Sequence, residues 1–346
     1  MNIKTLAVTA QALVAPGHGL LAMDESTGTC NARFAEHGIP QTVEARRTYR
    51  ELLVTTPGLA AAGISGAILF DETIRQRTAA GVSFVEILQQ AGIIPGIKVD
   101  VGAHGLAGFP GEKVTEGLDG LRPRLAEYAQ LGARFAKWRA VLAIGHDRPS
   151  RPCIAANAHA LARYAALCQE ADLVPIVEPE VLLTGPHSLA RCAVVTEEVL
   201  HEVFAQLRTQ GVILEGMLLK PSMVLAGADC PKQPTTAHVA DATLTCLLRT
   251  VPAAVAGIAF LSGGQSGPLA AARLDAINRC RSLDSSRAPW PLVFSFARAI
   301  QHPGLQIWQG DEANVAAAQA AVAHGARSSH AAIHGRYDAA LEASAP

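Results

Sequence analysis

Short apolar runs recur along the chain, and each stops at a polar or charged residue. Residues 19–23 precede Asp24, 64–70 precede Asp71, 93–97 precede Lys98, and Phe135-Ala136 precedes Lys137. Residues 173–177 then precede Glu178, 217–219 precede Lys220, 255–261 precede Ser262, and 292–294 precede Ser295. Between them lie stretches with apolar residues at helical spacing, clearest at 154–171, 196–210, 238–250 and 269–281. Strand-like runs that alternate with helices predict a parallel sheet, because parallel neighbours need a crossover and a helix is the usual one. Eight units in 346 residues, roughly 43 residues each, match an α/β fold of the (β/α)8 barrel type. A doubly wound open sheet is the alternative that the alternation by itself allows.

One domain is expected, a barrel over residues 1–337. Lys4, the apolar stretch from Leu6 to Ala10 and then Ala10-Gln11-Ala12 imitate a secretory leader. The apolar part is too short for one and Gln11 interrupts it, so an amphipathic first helix is predicted. Residues 338–346 form an Ala-rich tail ending in Pro346, expected to be poorly ordered. With 49% hydrophobic residues and only 5% aromatics, Ala, Leu and Val carry the core. That suits helices around parallel strands. The net charge of −1 and the lack of a basic stripe argue against a nucleic-acid partner, although a few local cations could still bind an anionic substrate. No apolar run approaches the roughly 20 residues a membrane span needs. The seven cysteines are odd in number, widely spaced and without a C-x-x-C pair. They read as reduced thiols of a cytoplasmic protein and not as disulfides or a zinc site. The twelve histidines show no metal spacing, so no metal is expected.

Barrel enzymes carry their chemistry at the carboxyl ends of the strands. Here those ends read Asp24, Asp71, Lys98, Lys137, Glu178, Lys220, Ser262 and Ser295. Of 29 basic residues only six are lysines, and three of the six end an apolar run. An amine can lose its proton and attack a carbonyl, whereas a guanidinium effectively cannot. A single such lysine would be read as snorkelling to solvent; three together point to chemistry. Side chains two apart share a strand face, so Lys98 and Asp100, Lys137 and Arg139, and Glu178 and Glu180 could all face the barrel mouth. Two neighbouring carboxylates are expected to raise each other's proton affinity, which suits a general acid. Likewise Lys137 beside Lys220 is expected to depress an amine pKa. Glu178-Pro179-Glu180 could instead be an exposed loop.

Ser262-Gly263-Gly264-Gln265-Ser266 offers backbone N–H groups and hydroxyls to an anion, in the position after the seventh strand where barrels often bind phosphate. Arg298 could complete the site. The motif is weak alone and could be an ordinary turn. Gly17-His18-Gly19-Leu20-Leu21-Ala22 fits G-x-G-x-x-A, but its glycines precede the strand, the wrong order for a dinucleotide.

These residues resemble the class I fructose-1,6-bisphosphate aldolases over nearly the whole chain, from about Leu13 to Tyr337. The resemblance is carried by Leu20-Leu21-Ala22-Met23-Asp24-Glu25-Ser26-Thr27-Gly28, Gly96-Ile97-Lys98-Val99-Asp100 and Phe135-Ala136-Lys137-Trp138-Arg139. Pro175-Ile176-Val177-Glu178-Pro179-Glu180, Leu218-Leu219-Lys220-Pro221 and Phe260-Leu261-Ser262-Gly263-Gly264-Gln265-Ser266 continue it in order. It implies a metal-independent, cofactor-free Schiff-base lyase of glycolysis acting on a sugar phosphate, and a homotetramer. Lys220 would form the iminium. Glu178, with Glu180 beside it, would move protons. Asp24 would take the C4 hydroxyl proton, with Lys137 orienting and polarising. Ser262, Gly263, Gly264, Ser295, Ala297 and Arg298 would hold the C1 phosphate, and Lys98, Ser26, Arg33 and Arg139 the distal phosphate and hydroxyls.

The chain departs from the family pattern at Ala32, where Lys is common, and at Phe296-Ala297, where Tyr-Gly is common. His18 and Met23 also differ from it, and the long tail ending in Tyr is absent. These changes bear on substrate preference. A related Schiff-base aldolase for another phosphorylated ketose, and a non-catalytic binding protein on the same barrel, are the competing readings. The second is disfavoured because every expected catalytic group is present.

Overall fold

A computed structural model describes residues 1–283 and 288–344. The strands are β1 (Gly19–Ala22), β2 (Ile64–Leu69), β3 (Ile94–Lys98), β4 (Gly102–Gly105), β5 (Lys113–Glu116), β6 (Phe135–Leu142), β7 (Val174–Val181), β8 (Leu218–Leu219), β9 (Gly257–Phe260) and β10 (Leu292–Phe296). Eight of them close into a parallel barrel in the order β1-β10-β9-β8-β7-β6-β3-β2. Each expected apolar run supplies one barrel strand, and the open-sheet alternative falls away.

β4 and β5 form a separate antiparallel hairpin that the hydrophobic pattern did not announce. Its strands are four residues long, and Gly102 (φ +111°) and the turn glycines make the segment read as loop. β6 and β7 run further than their apolar starts, pairing from Phe135↔Val174 to Leu142↔Val181. Glu178-Pro179-Glu180 is therefore strand, not exposed loop.

Alternation inside a closed barrel aims every second side chain at one axis. Leu20, Ala22, Ile68, Phe135, Val174, Ile176, Leu218, Ala259 and Val293 fill the lower interior as one buried cluster. Leu6, Ala10 and Leu13 of the helix Ile3–Leu13 join that cluster and plug the bottom. The helix starts where Asn2 caps it by accepting from the Thr5 N–H at 3.2 Å. Phe135 fits because β3 contributes Gly96, where a Cβ would lie 2.2 Å from the ring. A second cluster packs the outer faces of the strands against the helices.

The four clearest helical patterns become Arg151–Glu170, Leu189–Thr209, Thr236–Thr250 and Gly267–Leu283. The second starts seven residues before its pattern, at a cap where Ser188 accepts from the Arg191 N–H. His330, near the end of the helix Val315–Ile333, places Nδ1 2.6 Å from the carbonyl oxygen of Gly17, just before β1. The last helix thus ends at the amino-terminal face of the barrel. In the tail, Ala339–Ser344 forms a 3-10 helix and Glu342 Oε2 lies 3.3 Å from His324 Nε2. Residues 345–346 lie outside the described residues. Among the described residues no helix is long and apolar enough to cross a membrane.

Candidate active site

Above the apolar plug, the same inward parity carries charge. Asp24 follows Ala22, Lys98 ends β3, Lys137 and Arg139 lie on β6, Glu178 and Glu180 on β7, and Lys220 follows β8. They converge at the carboxyl end in a cleft of about 1160 Å³. All fifteen residues singled out above line it: Asp24, Ser26, Arg33, Lys98, Lys137, Arg139, Glu178, Glu180, Lys220, Ser262, Gly263, Gly264, Ser295, Ala297 and Arg298.

The centre is an alternating chain of four buried charges. Lys137 Nζ lies 2.6 Å from Asp24 Oδ2 and 3.0 Å from Glu178 Oε2, and Lys220 Nζ lies 3.2 Å from Glu178 Oε1. Two ammonium groups face two carboxylates, so the desolvation that makes buried charge costly is offset locally. Burial alone would raise Asp24, but Lys137 and Lys220 outweigh it and hold its carboxyl at about 2. Burial likewise opposes ionisation of Glu178, yet Lys137, Lys220 and Arg139 together pull it below the usual carboxylate range.

Two expectations about proton affinity are corrected by these contacts. Glu178 is lowered, not raised, because Glu180 is engaged by Arg139 (Nε to Oε2 2.5 Å) and cations surround Glu178. Lys137 is raised, not depressed: burial disfavours its charge, but Asp24 and Glu178 prevail. It is an ammonium throughout the neutral range.

Further residues fix the frame: Asp100, which spacing already set beside Lys98, and Glu25, Arg50, Gln301 and Tyr49, to which the sequence pattern assigned no role. Asp100 is buried; its Oδ1 lies 2.5 Å from Lys98 Nζ and its Oδ2 accepts from the Arg139 N–H at 3.1 Å. Glu25 is pinned by Arg33 and Arg50, each at 2.6 Å. Gln301 donates to Glu25 at 3.1 Å and also to the Ala22 carbonyl. Tyr49 donates to Gln301 at 3.1 Å. The signal for Glu25 was present in Asp24-Glu25 itself, where two acids follow a fully buried strand. Asp71 has a different task from the other strand-end groups. It opens the short helix Asp71–Ile74 at the cleft rim, pairs with Arg75 and accepts from Tyr128.

On the opposite wall, Gly263 (φ +59°) and Gly264 (φ +90°) adopt a left-handed backbone that other residues resist. A Cβ at Gly264 would lie 3.1 Å from Arg298 Nη2, so the guanidinium stands directly over the loop. Ser295 Oγ is buried there without a hydrogen-bond partner. The wall offers donors and, in Arg298, a cation that forms no ion pair among the described residues, the requirement for a phosphate. Among the described residues no group of three or more His, Cys, Asp or Glu is placed to hold a metal ion.

A parallel eight-stranded barrel with a lysine, a carboxylate and a glycine loop under an arginine at its mouth fits an aldolase-like class of enzyme. The family model for class-I fructose-bisphosphate aldolase matches residues 5–346. The chain is 55% identical over 338 residues to a probable class 1 fructose-bisphosphate aldolase of Xanthomonas campestris, covering 97% of this chain and 99% of the relative. It is 50% identical to the cytosolic fructose-bisphosphate aldolase 4 of Arabidopsis thaliana, covering 93% and 81%. The fructose-bisphosphate aldolase structure from Plasmodium falciparum superposes with a TM-score of 0.93 at 49% identity, covering 97% and 95%. The chain belongs to the class-I fructose-bisphosphate aldolase family.

Proposed function

We infer that the enzyme cleaves fructose 1,6-bisphosphate reversibly to dihydroxyacetone phosphate and glyceraldehyde 3-phosphate, a lyase reaction of glycolysis, through a Schiff base on Lys220. The observation that carries the Schiff base is the contact of Lys220 Nζ with Glu178 Oε1 at 3.2 Å inside the cleft. Glu178, drawn down to carboxylate by its neighbours, accepts the proton that Lys220 gives up. The free amine then adds to the C2 ketone, and one of its two N–H protons passes to the C2 oxygen, which becomes the carbinolamine hydroxyl. Glu178 returns that proton to the departing hydroxyl as the carbinolamine loses water, leaving the iminium.

Asp24, ionised at any neutral pH, takes the C4 hydroxyl proton as the C3–C4 bond breaks and the electron pair moves into the iminium to form an enamine. Lys137, fixed as an ammonium between Asp24 and Glu178, holds the C4 oxygen. Ser262, Gly263, Gly264, Ser295, Ala297 and Arg298 bind the C1 phosphate. Lys98, Ser26, Arg33 and Arg139 meet the distal phosphate and hydroxyls, and Glu180 keeps Arg139 in place. No metal and no cofactor has a part in these steps.

The test is borohydride reduction with dihydroxyacetone phosphate, followed by peptide mass mapping. The adduct is expected on Lys220 and is expected to vanish in Lys220→Arg, which keeps the charge but removes the attackable amine. Full trapping in that variant would place the nucleophile elsewhere, Lys137 being next. Residues 1–337 serve as the catalytic barrel. A homotetramer in the cytoplasm is the setting supported by the family resemblance and by the cytosolic Arabidopsis relative; sedimentation would measure the first and cell fractionation the second.

A further inference from the structure

Behind the Ser262–Gly264 loop stands a cation that the steps above do not use. Arg273, on the helix Gly267–Leu283, is 7% exposed. Its Nη1 donates to Gln265 Oε1 at 2.7 Å, and Gln265 Nε2 donates to the Ser262 carbonyl at 2.8 Å. Among the described residues no carboxylate lies within ion-pair distance of Arg273, and its Nε is buried with no hydrogen-bond partner. Burial alone acts on its proton affinity, and lowers it.

A buried guanidinium without a counter-ion is costly, and proteins usually pair it. The other large buried cations here follow that rule: Arg50 has Glu25, and Arg46 has Glu72. Among the described residues Arg273 has only the neutral carbonyl oxygen of Gln265, whose amide leads straight to the loop that faces the cleft.

We propose that Arg273 is a positioning residue for phosphate binding. It fixes the Ser262–Gly264 loop through Gln265, and it supplies an uncompensated positive charge that the substrate's C1 phosphate dianion neutralises. The proposal rests on the reading of that loop as the phosphate site. It implies that the loop is organised for a dianion before one arrives.

The experiment compares dihydroxyacetone phosphate with dihydroxyacetone, which forms the same iminium but carries no phosphate. The readout is the concentration giving half-maximal borohydride-trapped adduct. In Arg273→Met and in Arg273→Gln, which keeps a donor for Gln265, the value for dihydroxyacetone phosphate is expected to rise about tenfold, as for one partly screened charge. The value for dihydroxyacetone should stay unchanged. Arg273→Lys should recover most of the loss. Equal shifts for both ligands, or no shift in either neutral variant, would overturn the proposal. Arg298→Met separates the two levels. If it weakens dihydroxyacetone phosphate while the Arg273 variants do not, only the role of Arg273 falls. If neither position matters, the phosphate-site reading falls with it.

Discussion

Replacing Lys137 with Met keeps the length of the side chain and removes the charge that joins Asp24 to Glu178. In the native enzyme Asp24 sits at about 2 against an ordinary 3.8. A folded-state value below the unfolded one stabilises above the unfolded pKa, and that contribution disappears as pH falls through about 2. The difference is worth about 2 kcal/mol at neutral pH. Without Lys137, two buried carboxylates face one ammonium, and breaking a buried pair in this way costs about 3–5 kcal/mol.

The sign of the pH dependence then reverses. Burial, the largest single influence on Asp24, then faces only Lys220 and Lys98, and is expected to lift the folded-state carboxyl above its unfolded value. The folded protein now holds the extra proton, so its stability grows as pH drops from 8 to 5. Urea unfolding followed by fluorescence of the buried Trp138, Trp290 and Trp308 should show Lys137→Met destabilised at pH 8 and partly recovered at pH 5, with no such recovery in the native protein. Equal destabilisation at both pH values would mean that lost packing, not unpaired charge, is the cause.

Glu178→Gln should lower kcat by about 10²–10⁴ while leaving KM within a few fold, since its work is proton transfer. Single-turnover cleavage measures it, and an unchanged kcat would move the role to Glu180 or Asp24. Ala32 is exposed at the rim of the cleft, next to Arg33. Arg33, Lys98 and Arg139 are each already paired with a carboxylate. Ala32→Lys should therefore raise kcat/KM for fructose 1,6-bisphosphate roughly threefold, the worth of an exposed charge pair, with fructose 1-phosphate unaffected. Equal gains on both substrates would place the added charge away from the distal phosphate.

The barrel was legible because strands buried on both faces read as unbroken apolar runs, and their ends could be counted. Where strands ended was less legible. Phe135-Ala136 looked like the whole of a strand because Lys137 broke the apolar run. Yet β6 continues to Leu142, with Lys137, Arg139 and Val141 lining the cleft and Ala136, Trp138, Ala140 and Leu142 packed in the outer core. A charged residue inside a strand looks like an end of it unless the interior is known to be polar there. The hairpin Gly102–Gly105 and Lys113–Glu116 was missed for the opposite reason: glycines and short strands left no periodicity to read.

The site divides along the same physical line. Parity within one strand is a local property, so Lys137 with Arg139 and Glu178 with Glu180 could be set on one face from spacing alone. Proton affinity is not local. Glu178 takes its direction from Lys137 and Arg139 on β6 and from Lys220 after β8, and Glu180, its nearest acid in sequence, is engaged by Arg139. Sequence spacing joined the two acids and so gave the wrong sign. Arg273 illustrates the limit further. On its helix it is one basic residue after Ala270-Ala271-Ala272, indistinguishable by pattern from a solvated surface charge. Only the fold reveals that this position turns inward beneath the Ser262–Gly264 loop, with Gln265 as its one described hydrogen-bond partner. Lys98, Lys137, Glu178 and Lys220 stand where apolar runs break off, so the sequence pattern announces them, while Arg273 sits where only the packing of its helix brings a charge beneath the loop.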